Sequence, residues 1–367
     1  MNINLPTFNE TYQALMQQSG LGVRDYVSTV EQAVKAYSGG TTMQADTGSE
    51  QMTKSAAGQL FRMVGLPVQV IDHFNDAPDL QVAMVQHRLA KLPDEKKAEQ
   101  IICRGSVVGD NRTRIDAFLS QDYVPVSNMQ LLMALREALG EIDARVHKSQ
   151  IYQRQMHIRI VTPDWWHDLG GGDPAYTGLS IMNDEKGKGG VTIKVAVARV
   201  ACFNYVVAEE PVFEHGHRWL DQSALLNGVQ EGIARLNDAA AGVAGRLRDM
   251  RDTNVNDVAG MLTTMGNEMG LPSYSVEAAK QWWTDSGAIP NLFMVVQAIA
   301  FGTDKMTSRK GFQWDRREYA EQQVFNMAKT FQETGRLELC SCPRCHRPMS
   351  VIGEDGEYIN AEYSVAE

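Results

Sequence analysis

The clearest two-residue alternation in the chain runs through Tyr176–Val207. Thr177–Met182 predicts one strand, the polar and glycine-rich Asn183–Gly190 a turn, and Val191–Val197 a second strand. In the second strand Val191, Ile193, Val195 and Val197 fall on one side, and Thr192, Lys194 and Ala196 on the other. Such alternation predicts a hairpin with one face buried and the other solvated. The solvated face would carry Thr192 and Lys194, with Lys186 and Lys188 at the tip and Arg199 beyond. A sheet with cations on its outer face is a surface for a polyanion.

Elsewhere the pattern divides the chain into stretches of different period. Residues 1–50 mix Gly, Ser and Thr with one helical stretch around Tyr26–Tyr37, which predicts an N-terminal arm or a small helical segment, weakly packed at most. Thr53 is an N-cap for a helix over Lys54–Val64, with Ala56, Ala57, Leu60, Phe61 and Val64 on one face. Gly65-Leu66-Pro67 ends it, and Val68–Phe74 and Leu80–Leu92 continue the helical layer. Ile101–Val108 and Thr113–Leu119 predict two strands around a turn at Gly109–Arg112, and Ser127 caps a helix over Asn128–Leu139. His147–Val161 alternates again, Trp165-Trp166-His167 predict a loop, and Gly170-Gly171-Gly172 precede the hairpin. From Asp221 the period is helical: Asp221–Val243, Asn254–Gly270, Val276–Trp283, Asn291–Phe301 and Arg316–Phe331. Met261, Met265 and Met269, four apart, predict a core stripe. The expected fold is α+β, a twisted antiparallel sheet with a helical layer and a mostly helical C-terminal region. Its divisions are an arm at 1–50, an α+β core with a basic sheet at 51–220, a helical region at 221–335, and a cysteine knuckle with an acidic tail at 336–367.

Composition narrows the function classes. With 367 residues, 43% hydrophobic and 22% charged, the chain is long enough for one large domain or two ordinary ones. No apolar run approaches the roughly 20 residues of a membrane span, and the N-terminus lacks the basic and apolar regions of a signal peptide. With only five cysteines, three of them clustered near the C-terminus, a secreted disulfide framework is excluded and a cytoplasmic protein is expected. The formal net charge of −10 excludes a DNA coat that is basic all over, yet leaves room for a local basic groove.

Such a groove is legible as local charge excess. Arg145–Tyr205 holds eight basic and five acidic residues, and Gln86–Ile115 seven and four. Single-strand binding needs cations along the phosphates and aromatic faces for the bases. The candidates are Arg112, Arg114, Arg154, Arg159, Lys186, Lys188, Lys194 and Arg199, with Trp165 and Trp166 as stacking faces. The competing reading is a half-solvated sheet whose outer face is basic by chance and whose aromatics are core.

Three further features carry chemistry. Cys342-Pro343-Arg344-Cys345 has zinc-knuckle spacing, and Cys340 and His346 are the local candidates to complete four ligands. Adjacent Cys345 and His346 would strain one site, so a structural zinc and a metal-free degenerate knuckle both remain open; no other cofactor is expected. Gly353–Glu367 holds five acids and no base, which fits either a tail of the kind with which single-strand binders recruit partners or a plain solvated terminus. Glu214, His215, His217 and Asp221 are the best start for a metal-dependent nuclease. There is no P-loop, nucleophile elbow or dinucleotide fingerprint, and no enzyme is expected.

Three blocks resemble a large phage- and plasmid-borne family known only as a phage/plasmid-like domain of unknown function. They are Met52–Phe61 running to Gly65-Leu66-Pro67, then Ile115–Asn128, then Gly178–Gly187 continuing to Arg199–Asn204. The third block departs from the family pattern: Asp184 stands in place of Ser, Phe203 in place of Thr, and Tyr205 in place of the Gly after Asn204. The resemblance covers residues 50–220 and assigns no activity. The architecture it implies is also similar to the single-stranded-DNA-binding RNA polymerase cofactors of podoviruses with a giant virion polymerase. What the resemblance implies is a largely sequence-independent single-stranded DNA binder in viral transcription, replication or recombination. Its partners would be single-stranded DNA, a phage RNA polymerase or replication protein, and further copies of itself. The alternative is a host-takeover adaptor that binds protein and no nucleic acid.

Overall fold

The computed structural model describes residues 5–19, 23–45, 48–108, 112–124, 126–152, 154–187, 189–200, 205–216, 222–305, 314–335, 350–352 and 358–360. Helix α1 (Phe8–Ser19) precedes β1 (Val23–Thr29), α2 (Val30–Ala36) and three short strands, β2 (Tyr37–Gly39), β3 (Thr42–Ala45) and β4 (Gly48–Met52). Helices α3 (Lys54–Met63), α4 (Gln69–His73), α5 (Pro78–Ala90) and α6 (Asp94–Lys97) follow. Strands β5 (Gln100–Val108) and β6 (Arg112–Ser120) lead into α7 (Asn128–Leu139). Then come β7 (Arg145–Tyr152), β8 (Gln155–Asp168), β9 (Pro174–Asp184), β10 (Val191–Arg199) and β11 (Tyr205–His215). The remainder is helical: α8 (Gln222–Ala234), α9 (Leu236–Asp249), α10 (Val258–Glu268), α11 (Ser273–Ser286), α12 (Leu292–Asp304) and α13 (Trp314–Thr334). A small hairpin pairs β12 (Ser350–Ile352) with β13 (Tyr358–Asn360).

The fold is α+β and holds two large sheets. One has the order β1-β5-β6-β4-β3-β2 and is antiparallel except where β4 meets β6. The other is an antiparallel meander, β11-β10-β9-β8-β7. Each sheet has its own core. Val34, Leu60, Phe61, Ile115 and Phe118 fill the first. Ile158, Ile160, Leu179, Ile181, Ile193 and Val195 of the meander join Leu132, Leu247, Phe293 and Phe325 of the helices in the second. Each such side chain contributes about 1.5–3 kcal/mol on burial.

Local signals set the element starts. Thr53 Oγ1 accepts from Ala56 N at 3.1 Å, and Ser127 and Gln130 close a capping box at the start of α7. The methionine stripe is core as expected: Met261, Met265 and Met269 are all buried.

Three expectations are corrected. The N-terminal stretch is no loose arm: Phe8, Tyr12 and Leu15 of α1 are buried in the larger core, and residues 23–52 supply four strands of the first sheet. These strands are short, and β3 and β4 present only Met43 and Met52 to the core, too few to display a period. Trp165, Trp166 and His167 lie on β8, since Trp166 and His167 continue the pairing with Tyr176 and Ala175 after a register shift. The outer face of the meander is not left to solvent, because α13 lies against it. Among the described residues, no helix is long and apolar enough to cross a membrane.

Candidate functional site

The three sequence blocks quoted above converge where the β9–β10 turn docks on β5 and β6. Arg104, Asp116, Arg154 and Glu185 are all buried there. Arg154 sits in the β7–β8 turn with φ 68°, a left-handed backbone costing about 1–2 kcal/mol outside glycine. Its guanidinium offsets that strain by reaching three partners: Asp116 Oδ2 at 3.0 Å, Glu185 Oε2 at 3.0 Å and the Gly105 carbonyl at 2.7 Å. Arg104 binds Asp25 through Nη2 at 2.7 Å and approaches Glu185 Oε2 at 3.6 Å. Arg114 Nε donates to Asp116 Oδ1 at 2.9 Å, and the Ser106 hydroxyl donates to Asp116 Oδ2. Asn128 N donates to Glu185 Oε1 at 2.5 Å, so Glu185 also caps α7.

Three guanidiniums thus face three carboxylates, and every oxygen of Asp116 and Glu185 has a donor. Gln59 joins the three blocks directly. Its Nε2 donates to the Lys186 carbonyl at 2.9 Å, and its Oε1 accepts from Phe118 N at 2.9 Å. Tyr123 OH donates to the Asp184 carbonyl at 3.3 Å, and burial pushes its phenol well above the ordinary range. The junction clamps the hairpin tip onto the first sheet. No group of His, Cys, Asp or Glu able to hold a metal occurs among the described residues.

The second arrangement is a basic row across the meander. Lys148 on β7 pairs with Arg159 on β8, Arg159 with Ser180 on β9, and Ser180 with Lys194 on β10. Residues in register share a face. Arg159 and Lys194, both expected contact residues, thus line up with Lys148, but the C-terminal helices cover the row. Lys148 forms an ion pair with Asp304 of α12. Arg159 is held by Glu321 of α13, and Lys194 Nζ donates to the neighbouring Gln322 at 3.3 Å.

The predicted contact residues accordingly scatter. Arg154 and Arg159 are buried in ion pairs, and Arg114 is half-buried on Asp116. Arg199 binds Asp173 at 2.8 Å and lies over the Phe293 ring at 5.6 Å. Lys186 is buried in the hairpin turn instead of standing at an exposed tip. Arg159 and Lys194 are covered by a later helix that the alternation gives no sign of, whereas Arg154, Arg114 and Lys186 are engaged where the β9–β10 turn docks on the first sheet. Arg112 is placed by its backbone pairing with Val108, while its side chain and Lys188 lie outside the described residues. Trp165 is half-buried against the larger core.

Trp166 alone among the candidate aromatics stands out, with 62% of its surface exposed. Arg248 of α9 donates through Nη2 to the Asp168 carbonyl at 2.6 Å, at the end of the same strand. His167 Nε2 meets Thr177 Oγ1 at 2.9 Å, and burial, then Arg248, lowers its pKa from the ordinary 6.5.

Cys340, Cys342, Cys345 and His346 lie outside the described residues, as do His217 and Asp221. Glu214 and His215 are consecutive on β11 and so project to opposite faces, which removes them as a shared ligand pair. The partners that sequence reasoning missed are Asp116, Glu185, Asp304, Glu321 and Gln322. Their one signal was the presence of acids within the same blocks and in the C-terminal helices. No protein-family model, no curated protein and no solved structure matches the chain.

Proposed function

We propose that the chain is a non-catalytic, largely sequence-independent binder of single-stranded DNA that serves viral transcription, replication or recombination in the host cytoplasm. An RNA polymerase or replication protein would be its partner, and self-association would link binding sites along a strand. The resemblance of the three blocks motivates the reading. The observation that carries it is the Trp166 indole, 62% exposed near the end of β8. An exposed aromatic face is what stacks an unpaired base. The cations of the basic row are engaged internally, so this reading assigns the contact to the strand end and not to the sheet face.

A second reading, a protein-binding adaptor without nucleic-acid contact, is favoured by the same covering of Lys148, Arg159 and Lys194. Fluorescence anisotropy with labelled oligo-dT and a matched duplex, at two salt concentrations, separates the two. Salt-sensitive preference for the single strand is expected. Absence of binding at low salt would refute the first reading and leave the adaptor.

A further inference from the structure

The chain passes through its two cores in a nested order. Phe8, Tyr12 and Leu15 of α1 belong to the larger core, residues 30–118 supply the smaller one, and residues 126–328 complete the larger. Among the described residues the two cores have no side chain in common. The larger core closes across the interruption, where the Arg136 guanidinium of α7 lies 4.8 Å from the Tyr12 ring centroid of α1. Residues 23–120, with the six strands of the first sheet and helices α2–α6, are therefore an insertion with a core of its own.

The contact between the insertion and the rest centres on the β7–β8 and β9–β10 turns and is largely polar. Two ion pairs cross it, Arg154 to Asp116 at 3.0 Å and Glu185 to Arg104 at 3.6 Å. The Gly105 carbonyl accepts from Arg154 at 2.7 Å, the Lys186 carbonyl from Gln59 at 2.9 Å, and the Asp184 carbonyl from Tyr123 at 3.3 Å. Leu119 and Tyr123 beside Gly187 add an apolar share. Each charged group also has a partner on its own side. Asp116 has Arg114 at 2.9 Å and the Ser106 hydroxyl, Arg104 has Asp25 at 2.7 Å, and Arg154 has Glu185 at 3.0 Å. Parting the two bodies thus strands no charge without a counter-ion, which removes the largest penalty for breaking a buried pair.

We propose that residues 23–120 are a separately folded body held closed by an ionic latch, Arg154–Asp116 with Glu185–Arg104. Releasing the latch lets that body swing on its connections to α1 and α7. The inference stands apart from the single-strand reading.

The test compares full-length wild type with Arg154→Gly, which removes the guanidinium and suits the backbone φ of 68°. Gln59→Ala removes one hydrogen bond across the contact and is the milder variant, read in the same way if Arg154→Gly does not fold. Calorimetry, small-angle scattering and hydrogen exchange are measured on each. Wild type is expected to melt in one peak. Arg154→Gly is expected to melt in two, with a larger radius of gyration and slow amides retained in both bodies. A single peak in the variant, an unchanged radius, or loss of slow amides throughout residues 23–120 would each overturn the latch. Two peaks in the wild type would overturn it as well, since the pairs would then couple nothing.

Discussion

Arg159 and Glu321, 162 positions apart in the chain, form a two-pronged ion pair with both side chains only 1% exposed. Arg159 Nη1 donates to Glu321 Oε1 at 3.1 Å and Nη2 to Oε2 at 2.5 Å. The pair joins the centre of the meander to α13, the last long helix. Burying two charges is costly, and only close, directed geometry offsets the cost. Its role is to fix where α13 sits, because Ala320, Val324, Phe325 and Ala328 alone would tolerate sliding along an apolar surface.

Removing one partner should therefore cost more than removing both. Glu321→Ala is expected to destabilise the fold by about 3–5 kcal/mol, since it leaves the Arg159 guanidinium buried without its counter-ion. The double change Arg159→Met with Glu321→Leu is expected to regain most of that loss. Urea unfolding of the two variants checks the order; equal losses would show that the pair adds nothing beyond packing.

At the hairpin tip Gly187 has φ +79°, and a Cβ there would lie 2.5 Å from Leu119 Cδ2. Gly187→Ala is expected to cost about 1–3 kcal/mol in overpacking, plus about 1–2 kcal/mol of left-handed backbone strain. Adding Leu119→Ala should relieve the first part and not the second. A double-mutant cycle read by denaturant unfolding measures this, with additive losses contradicting the contact.

Much of this architecture was legible in the sequence. The β9–β10 hairpin, the caps at Thr53 and Ser127 and the methionine core all follow from period and capping chemistry. The register that aligns Lys148, Arg159 and Lys194 was half legible, since alternation placed Arg159 and Lys194 opposite the apolar set. What period cannot supply is the tertiary partner. Glu321 sits in a helix with charged and polar residues at most positions, so nothing marked it as buried. The same gap hid the junction: Arg154 read as a DNA contact, and nothing in the pattern paired it with Asp116 and Glu185. The two tryptophans read as a loop instead of the end of β8 because the register shift before Trp166 breaks the alternation.

His167 gives the fold a pH signature. Burial and Arg248 lower its pKa from 6.5, so the unfolded chain takes up a proton before the folded one does. Its stabilising contribution is complete above the unfolded value and is lost as pH falls from about 6.5 through the folded pKa. Melting temperature is expected to fall between about pH 7 and pH 5, and His167→Asn should flatten part of that fall. An identical pH profile in the variant would contradict the assignment.

The central claim is that the basic row of the meander belongs to the fold while the exposed Trp166 belongs to the ligand. The most direct measurement is an oligo-dT titration of wild type, Trp166→Ala and Lys194→Ala at two salt concentrations. The account predicts weaker binding by about 1–3 kcal/mol for Trp166→Ala, with affinity and salt slope unchanged for Lys194→Ala. A reduced salt slope and affinity for Lys194→Ala, with Trp166→Ala silent, would contradict it.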